Sequence, residues 1–275
     1  LLGGDDNTLY ALSGDGTLRW SYPSGGRVTH LAVGDVDGDR QVEVLAASWD
    51  ATLHVLDPRG ALKQRLALDG RPSALAVADL DGDGAVEILS GTESGRLVAR
   101  KWDGQMLWQH GLEGAVRGLL LVDADRDRRD EIVAGSQGGV VALLGPDGAP
   151  RWAQRVGGTI VTLAAMPLES LVLVGTGDGL VALQGDSGLP AWQESTARGV
   201  WSLALLGSPE EPVVAAGTDG GEIVLLNRWG QVRGGTQLPS RVHGLVPTDL
   251  DGDGRPELLA RSGDYVYAFL AAGEG

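Results

Sequence analysis

The chain has 275 residues, of which 43% are hydrophobic and 44 are glycine, and its formal net charge is −15. So acidic a composition argues against a nucleic-acid-binding surface, and the lack of cysteine excludes disulfides, thiol catalysis and thiolate metal sites. No run of about 18 apolar residues is present, so we expect no membrane insertion. The chain opens at Leu1–Gly4 without Met or a signal peptide, which predicts a mature or excised piece of a longer protein.

A short apolar segment after a Gly/Asp turn recurs along the whole chain. It reads LYAL at 9, LHVL at 53, LVAR at 97, VVAL at 140, LVAL at 180, IVLL at 223 and VYAF at 266. A period of about 43 residues with short, turn-bounded segments is typical of a four-stranded propeller blade rather than a helical repeat. The sequence therefore predicts an all-β fold, a seven-bladed β-propeller of four-stranded antiparallel blades in a single domain, 1–275. The predicted units are 1–22, 23–66, 67–110, 111–154, 155–194, 195–237 and 238–275.

Each unit divides into strands A to D, and both terminal blades are predicted to be incomplete. Residues 1–22 supply only strands B, C and D, while 242–270 supply only A, B and C. A six-bladed ring, in which the strand at 17–22 closes the last blade, is the alternative. Strands A and B are nearly continuous apolar runs, which indicates inner strands buried on both faces. Strand D is more polar and ends in Trp in four units (Trp20, Trp108, Trp152 and Trp192).

Four acidic nonapeptides follow strand A, and we number them loop 1 (35–43), loop 2 (79–87), loop 3 (123–131) and loop 4 (249–257). Each has carboxylates at its positions 1, 3, 5 and 9, and the remainder of the chain is close to neutral. The sixteen residues are Asp35, Asp37, Asp39, Glu43, Asp79, Asp81, Asp83, Glu87, Asp123, Asp125, Asp127, Glu131, Asp249, Asp251, Asp253 and Glu257. Four anionic groups within nine residues repel one another unless a cation lies among them, and oxygen-only donors favour Ca²⁺.

The D-x-D-G-D-x-x-x-E pattern between two strands resembles the FG-GAP (VCBS-type, integrin α-like) repeats. An EF-hand is excluded because loop position 12 holds no Glu and the flanks are strands. The resemblance implies up to four Ca²⁺ ions, held by side chains at positions 1, 3, 5 and 9 and by the backbone carbonyl at position 7 (Gln41, Ala85, Arg129 and Arg255). Loop 3 has Arg126 where the others have Gly, and it is expected to bind most weakly. The connections at 166–170 and 207–212 are expected to be metal-free.

A second resemblance comes from the segments ALSGDGTLRW (11–20), LLGPDGAPRW (143–152) and ALQGDSGLPAW (182–192). They are similar to the strand C, turn, strand D-Trp motif of pyrroloquinoline-quinone-type repeats. This implies that the strand D Trp packs between blades. The quinone cofactor is not carried over, since its site typically needs a vicinal Cys pair.

No Ser–His–Asp set, phosphate loop or paired-carboxylate cleft stands out, and His30 with His243 is a weak site signal, so no enzyme is expected. Trp49, Trp102 and Trp229 fall at hairpin turns, where exposed aromatic side chains can mark a contact. We interpret the chain as an extracellular, cell-surface or periplasmic module that binds a protein or glycan, with structural calcium. The alternatives are a polysaccharide-active, lyase-like propeller and a passive spacer or sensor domain.

Overall fold

The computed structural model describes residues 1–125, 127, 129–194, 199–208, 210–250, 252, 254 and 256–269. Within these residues the regular structure is β-strand apart from one turn of 3₁₀-helix, Pro167–Glu169. None of the described residues belongs to a helix of the length and apolarity needed to cross a membrane.

The strands form seven sheets, and the strand order in each sheet follows the chain. The sheets consist of β1 (Leu2–Gly3), β2 (Thr8–Leu12) and β3 (Leu18–Pro23); β4 (Val28–Gly34), β5 (Glu43–Ser48), β6 (Thr52–Leu56) and β7 (Leu62–Ala67); β8 (Pro72–Ala78), β9 (Glu87–Thr92), β10 (Arg96–Arg100) and β11 (Met106–Gly111); β12 (Val116–Val122), β13 (Glu131–Ser136), β14 (Val140–Leu144) and β15 (Pro150–Arg155); β16 (Ile160–Met166), β17 (Leu171–Thr176), β18 (Gly179–Gln184) and β19 (Pro190–Glu194); β20 (Val200–Gly207), β21 (Pro212–Thr218), β22 (Glu222–Leu226) and β23 (Val232–Gln237); and β24 (Val242–Thr248), β25 (Glu257–Ser262) and β26 (Tyr265–Phe269).

The predicted four-stranded antiparallel unit is confirmed. Five sheets have four strands, whereas the first and the last have three in the described part of the chain. Among the described residues, the first sheet has no strand at the strand A position and the last has none at the strand D position, in line with the prediction. A register shift near the start of strand A recurs, for example between Val28 and His30 and between Val200 and Ser202. This shared irregularity indicates that the sheets are copies of one structural unit.

Burial follows the strand position in the sheet. Strand B is buried along its whole length in β5, β9, β13 and β17, because an inner strand is covered on both faces. Strand D alternates between exposed and half-buried residues, as in β15 and β11. The prediction that strands A and B are buried on both faces is therefore confirmed for strand B, whereas strand A lies at the edge of its sheet and is mostly half-buried, as in β4 and β16.

The residues group into two compact units. Unit 1 comprises 1–121, 128–138 and 142–151, and its core clusters centre on side chains such as Leu9, Leu45 and Leu97. Unit 2 comprises 122–127, 139–141 and 152–275, and its core clusters include Leu173 and Leu258. Within each unit, strands A of successive sheets contact each other, for example β4 with β8 and β20 with β24.

The strand D tryptophans connect neighbouring sheets, as predicted. Each indole Nε1–H donates to a backbone carbonyl in the C–D turn of the following sheet. These bonds are Trp20 to Pro58 (3.1 Å), Trp108 to Pro146 (2.9 Å), Trp152 to Gly185 (2.7 Å) and Trp192 to Arg228 (2.9 Å). Each ring also lies against a glycine of the same turn: Gly60, Gly148, Gly188 and Gly230. A side chain on that glycine would occupy the space of the ring, so the turn and the Trp form one packing unit.

Candidate functional site

In loops 1, 2 and 4 the Asp at position 1 organises the turn by accepting hydrogen bonds from backbone N–H groups of the same loop. Asp35 Oδ1 accepts from the Gly38 N–H (2.8 Å) and its Oδ2 from the Arg40 N–H (2.8 Å). Asp79 bonds in the same way to the N–H groups at 82 and 84, and Asp249 to those at 252 and 254. An Asp at position 1 is therefore needed for the shape of the turn, independently of any ligand.

The Glu at position 9 opens strand B and is buried. Glu43 and Glu131 are 0% exposed, and Glu87 and Glu257 are 2% exposed. One oxygen of Glu43, Glu87 and Glu257 accepts the backbone N–H of loop position 2, at 3.1, 2.8 and 2.7 Å. Burial raises the pKa of Glu87. One oxygen of the Glu at position 9 therefore links the end of the loop to its second residue in loops 1, 2 and 4.

The carboxylate oxygens converge in three loops. One oxygen from each of Asp35, Asp37 and Asp39 lies within 4.8 Å of the others, and the same holds for the sets Asp79, Asp81, Glu87 and Asp123, Asp125, Asp127. An all-oxygen, multiply anionic donor set matches the coordination chemistry of Ca²⁺. The residues of the described loops are thus compatible with the predicted ion.

Lysine ammonium groups lie among these carboxylates in loops 1 and 2. Lys63 Nζ is 2.5 Å from Asp37 Oδ2 and 2.9 Å from Glu43 Oε1. Lys101 Nζ is 2.9 Å from Asp81 Oδ2 and 3.4 Å from Asp83 Oδ2. The hydrogen bond with Asp37 raises the pKa of Lys63, and the bond with Asp81 raises the pKa of Lys101 and lowers that of Asp81. Each ammonium group marks a place where the loop favours positive charge.

The other predicted ligands take varied places. Gln41 and Ala85 donate their backbone N–H groups to Asp39 (2.7 Å) and Asp83 (2.9 Å), and Arg129 is exposed. Asp251, Asp253 and Arg255 of loop 4 and Arg126 and Arg128 of loop 3 lie outside the described residues. The ligand assignments remain predictions, with loops 1 and 2 the most completely described.

Sequence reasoning missed the cations that face these loops. They come from the C–D end of the same sheet: Lys63 is the second residue of β7, Lys101 directly follows β10, and Arg151 in β15 pairs with Glu131 at 3.1 Å. Since strands alternate in direction, the A–B loop and the C–D turn of a sheet lie at the same end. A basic residue near the C–D turn of these three sheets (Lys63, Lys101 and Arg151) was the available signal.

A second feature is an exposed tryptophan between two arginines, which we define as the Trp49 surface. Trp49 lies in the β5–β6 turn and is 41% exposed. The guanidinium groups of Arg27 and Arg71 lie 5.0 and 5.3 Å from its ring centroid. Arg27 also pairs with Asp5 at 2.6 Å. Tryptophan with arginine is the composition found at the energetic centres of protein interfaces.

The other tryptophans outside strand D differ in environment. Trp201 is 37% exposed, and Arg241, which pairs with Asp219, lies 3.9 Å from its ring centroid. Trp229, in the turn after β22, is 64% exposed with Arg228 at 5.5 Å. Trp102 instead packs on the core of unit 1. Exposure thus separates Trp49, Trp201 and Trp229 from Trp102.

His54 and His30 both contact hydroxyl groups of neighbouring side chains. His54 is 3% exposed, its Nδ1 lies 3.1 Å from the Tyr22 hydroxyl, and burial lowers its pKa. Burial also lowers the pKa of His30, whose Nδ1 is 3.0 Å from the hydroxyl of the adjacent Thr29. Neither contact includes the carboxylate or serine partner that an acid–base or nucleophilic site needs.

Unit 2 contains an apolar cavity of about 730 Å³. It is lined by residues of β20 to β23, β25 and β26, among them Leu206, Leu225 and Phe269. In β23, Gly234 pairs with Leu225 in the same register in which Trp192 of β19 pairs with Ala182. Gly234 therefore holds the strand D position that Trp occupies in four other sheets, and no indole ring fills the space beside this cavity. None of the described residues that line the cavity is titratable.

Comparison with known proteins gives one family and several similar folds. A family model described as "Outer membrane protein assembly factor BamB" (PQQ_2) matches residues 50–198 and 93–273. No curated protein sequence matches at a significant level. BamB from Moraxella catarrhalis has a TM-score of 0.70 at 21% identity, covering 97% of this chain and 79% of that one.

Two further solved structures share the fold at lower identity. Saccharomyces cerevisiae Sqt1 has a TM-score of 0.81 at 17% identity, covering 97% of this chain and 78% of that one. BBS1N, solved in complex with ARL6DN, has a TM-score of 0.71 at 14% identity, covering 96% and 85%. The family match supports the resemblance to pyrroloquinoline-quinone-type repeats, while the resemblance to FG-GAP repeats stays a prediction.

Proposed function

We propose that this chain, which belongs to the PQQ_2 family described as the outer membrane protein assembly factor BamB, is a non-enzymatic scaffold that binds a protein partner. In this proposal the scaffold is periplasmic or associated with the outer membrane. In this proposal its seven sheets are seven blades of one propeller, which an experimental structure of the whole protein would test. Members of this fold bind proteins, as the BBS1N complex with ARL6DN illustrates.

The Trp49 surface is the observation that carries the proposal. Trp49 is exposed and the guanidinium groups of Arg27 and Arg71 lie over its ring, so the surface combines exposed aromatic area with two positive groups. Such a face suits a partner segment with an apolar or aromatic side chain next to a carboxylate. Because the Trp49 ring already contacts both guanidinium groups, part of the ordering cost of binding is met before the partner arrives.

Site-specific photo-crosslinking tests this binding role. A photoreactive phenylalanine at position 49, in protein exported to the periplasm of a Gram-negative bacterium, should form an adduct with one discrete envelope protein. Position 229 is the matched control, since Trp229 is also exposed beside one arginine but lies in a C–D turn. Arg71→Glu should lower the adduct yield about tenfold, as expected for an interface centre. Equal labelling from both positions, unaffected by Arg71→Glu, would count against the proposal.

We also propose that loops 1 to 4 bind Ca²⁺ and that the ion has a structural role. In loops 1 and 2 the donors would be the side chains of Asp35, Asp37, Asp39 and Glu43, and of Asp79, Asp81, Asp83 and Glu87. A divalent ion would reduce carboxylate repulsion and tie loop positions 1 to 9 together. At a free Ca²⁺ concentration 100 times the Kd, binding at one site would stabilise the folded protein by about 2.7 kcal/mol.

Calorimetric titration of chelator-treated protein tests the calcium proposal. We expect heats of binding for up to four ions and a rise in melting temperature that a chelator reverses. Mg²⁺ should have a weaker effect, because it demands a smaller and more regular octahedral site. No binding heat together with an unchanged melting temperature would refute the calcium role and leave the protein-binding proposal untouched.

A further inference from the structure

Lys63 occupies the cation position of loop 1. Its ammonium group contacts the carboxylates at loop positions 3, 5 and 9, with Nζ 2.5 Å from Asp37, 3.5 Å from Asp39 and 2.9 Å from Glu43. Glu43 is fully buried, so Lys63 compensates a carboxylate that water does not reach. Removal of that cation would leave one buried and two nearby negative charges without compensation.

Lys101 occupies the equivalent position of loop 2 but comes from a different place in the repeat. It directly follows β10, whereas Lys63 is the second residue of β7. Even so, its Nζ contacts the same three loop positions, at 2.9 Å from Asp81, 3.4 Å from Asp83 and 3.9 Å from Glu87. Two different attachment points thus deliver an ammonium group to one location.

The two positions alternate between neighbouring sheets. In the sheet β4–β7 the residue after strand C is Asp57 and the second residue of strand D is Lys63, while in β8–β11 these residues are Lys101 and Leu107. Loops 1 and 2 thus each receive one lysine, from a different one of the two positions. The sheets without an acidic loop show no such regularity: in β16–β19 both positions are uncharged (Gly185 and Ala191), whereas β20–β23 has Arg233 at the strand D position.

We infer that Lys63 and Lys101 are internal counter-ions that keep loops 1 and 2 folded without metal, and that Ca²⁺ binds these loops only by displacing the ammonium groups. Ca²⁺ sits 2.3–2.6 Å from its oxygen ligands. An ammonium group hydrogen-bonded to the same oxygens leaves no room for the ion, and its positive charge opposes a divalent cation. The competition rests on the proposed calcium binding, whereas the counter-ion role does not.

The test uses Lys63→Met, Lys101→Met and the double variant, each with a side chain of similar length and no charge. Arg233→Met is the matched control, because Arg233 holds the strand D position of Lys63 in β23 but its sheet has no acidic nonapeptide. Melting temperature is measured in chelator, and calcium affinity by calorimetric titration. Lys63→Arg restores a cation and serves as the rescue.

In chelator, both Lys→Met variants should melt at lower temperature than the wild type, and Lys63→Arg and Arg233→Met should not. In calcium, the Lys→Met variants should bind about tenfold more tightly at the altered loop, and their melting temperatures should return to or pass that of the wild type. Unchanged melting in chelator with unchanged or weaker calcium affinity would overturn the inference.

The same measurements separate this inference from the calcium proposal. If Lys63→Met or Lys101→Met binds calcium and the wild type does not, the inference stands and the calcium role of that loop in the wild-type protein fails. If neither binds calcium, both the displacement mechanism and the calcium role fail.

Discussion

A methyl group added at Gly148 should disrupt the contact between the third and fourth sheets. Gly148 has φ +77 and lies in the C–D turn after β14, and a Cβ there would come within 2.6 Å of Trp108 Cγ. The indole cannot easily move, because its Nε1–H donates to the Pro146 carbonyl of the same turn. Gly148→Ala therefore combines backbone strain with steric overlap.

Gly16 provides a control with the backbone strain alone. It occupies the same place in the turn after β2, with φ +84, and a Cβ there would meet no atom within 4 Å. A left-handed alanine costs about 1–2 kcal/mol, partly offset by the lower entropy of the unfolded chain. We therefore expect Gly16→Ala to lower the free energy of unfolding by about 1 kcal/mol. Overlap with the ring adds about 1–3 kcal/mol, so Gly148→Ala should cost about 2–4 kcal/mol.

Chemical denaturation followed by far-ultraviolet circular dichroism measures both costs. In a Trp108→Leu background the smaller side chain leaves space, so Gly148→Ala should then cost only as much as Gly16→Ala. If Gly148→Ala were no worse than Gly16→Ala in the wild-type background, the Trp–glycine contact would not couple the sheets and the reasoning would be wrong.

Three further predictions concern single side chains. Arg40 has φ 67 where loops 2 and 4 have Gly84 and Gly254, so Arg40→Gly should raise the free energy of unfolding by about 0.5–1 kcal/mol and Gly84→Ala should lower it similarly, as denaturant titration would show. Trp192→Phe should cost about 1 kcal/mol in the same assay, because the Arg228 carbonyl loses its donor at 2.9 Å; no loss would argue against that bond. Burial lowers the pKa of His54, so on acidification the unfolded chain binds this proton at a higher pH than the folded chain does. The free energy of unfolding should therefore fall as pH drops below about 6.5. His54→Gln should flatten that pH dependence relative to the wild type, and identical slopes would contradict it.

The positions of the strands and loops could be predicted from the sequence because they depend on local order along the chain. Short apolar segments bounded by Gly and Asp recur at a nearly constant interval, and each became strand C of an antiparallel sheet. The recurrence of Trp20, Trp108, Trp152 and Trp192 at one register likewise predicted their packing. Such features recur along the sequence, and their recurrence can be recognised without knowing which residues are close in space.

The partners of the functional side chains could not be predicted in the same way. Lys63 reaches Asp37 and Glu43 across 26 and 20 residues, and Lys101 reaches the corresponding carboxylates from another point of the repeat. Trp49 lies between Arg27 and Arg71, which precede two different sheets. These contacts depend on side-chain direction and reach at the end of a folded sheet, and no spacing rule encodes either.

The sequence by itself determined the repeating sheet, the three-stranded form of the first and last sheets in the described residues, and the place of the acidic loops after strand A, because period and turn chemistry act locally. Only the tertiary structure decided which charges meet in loops 1 and 2 and which tryptophan stands exposed between arginines. Antiparallel strands bring the A–B loop and the C–D turn to one end of a sheet, and side chains that are far apart along the chain then come within hydrogen-bonding distance.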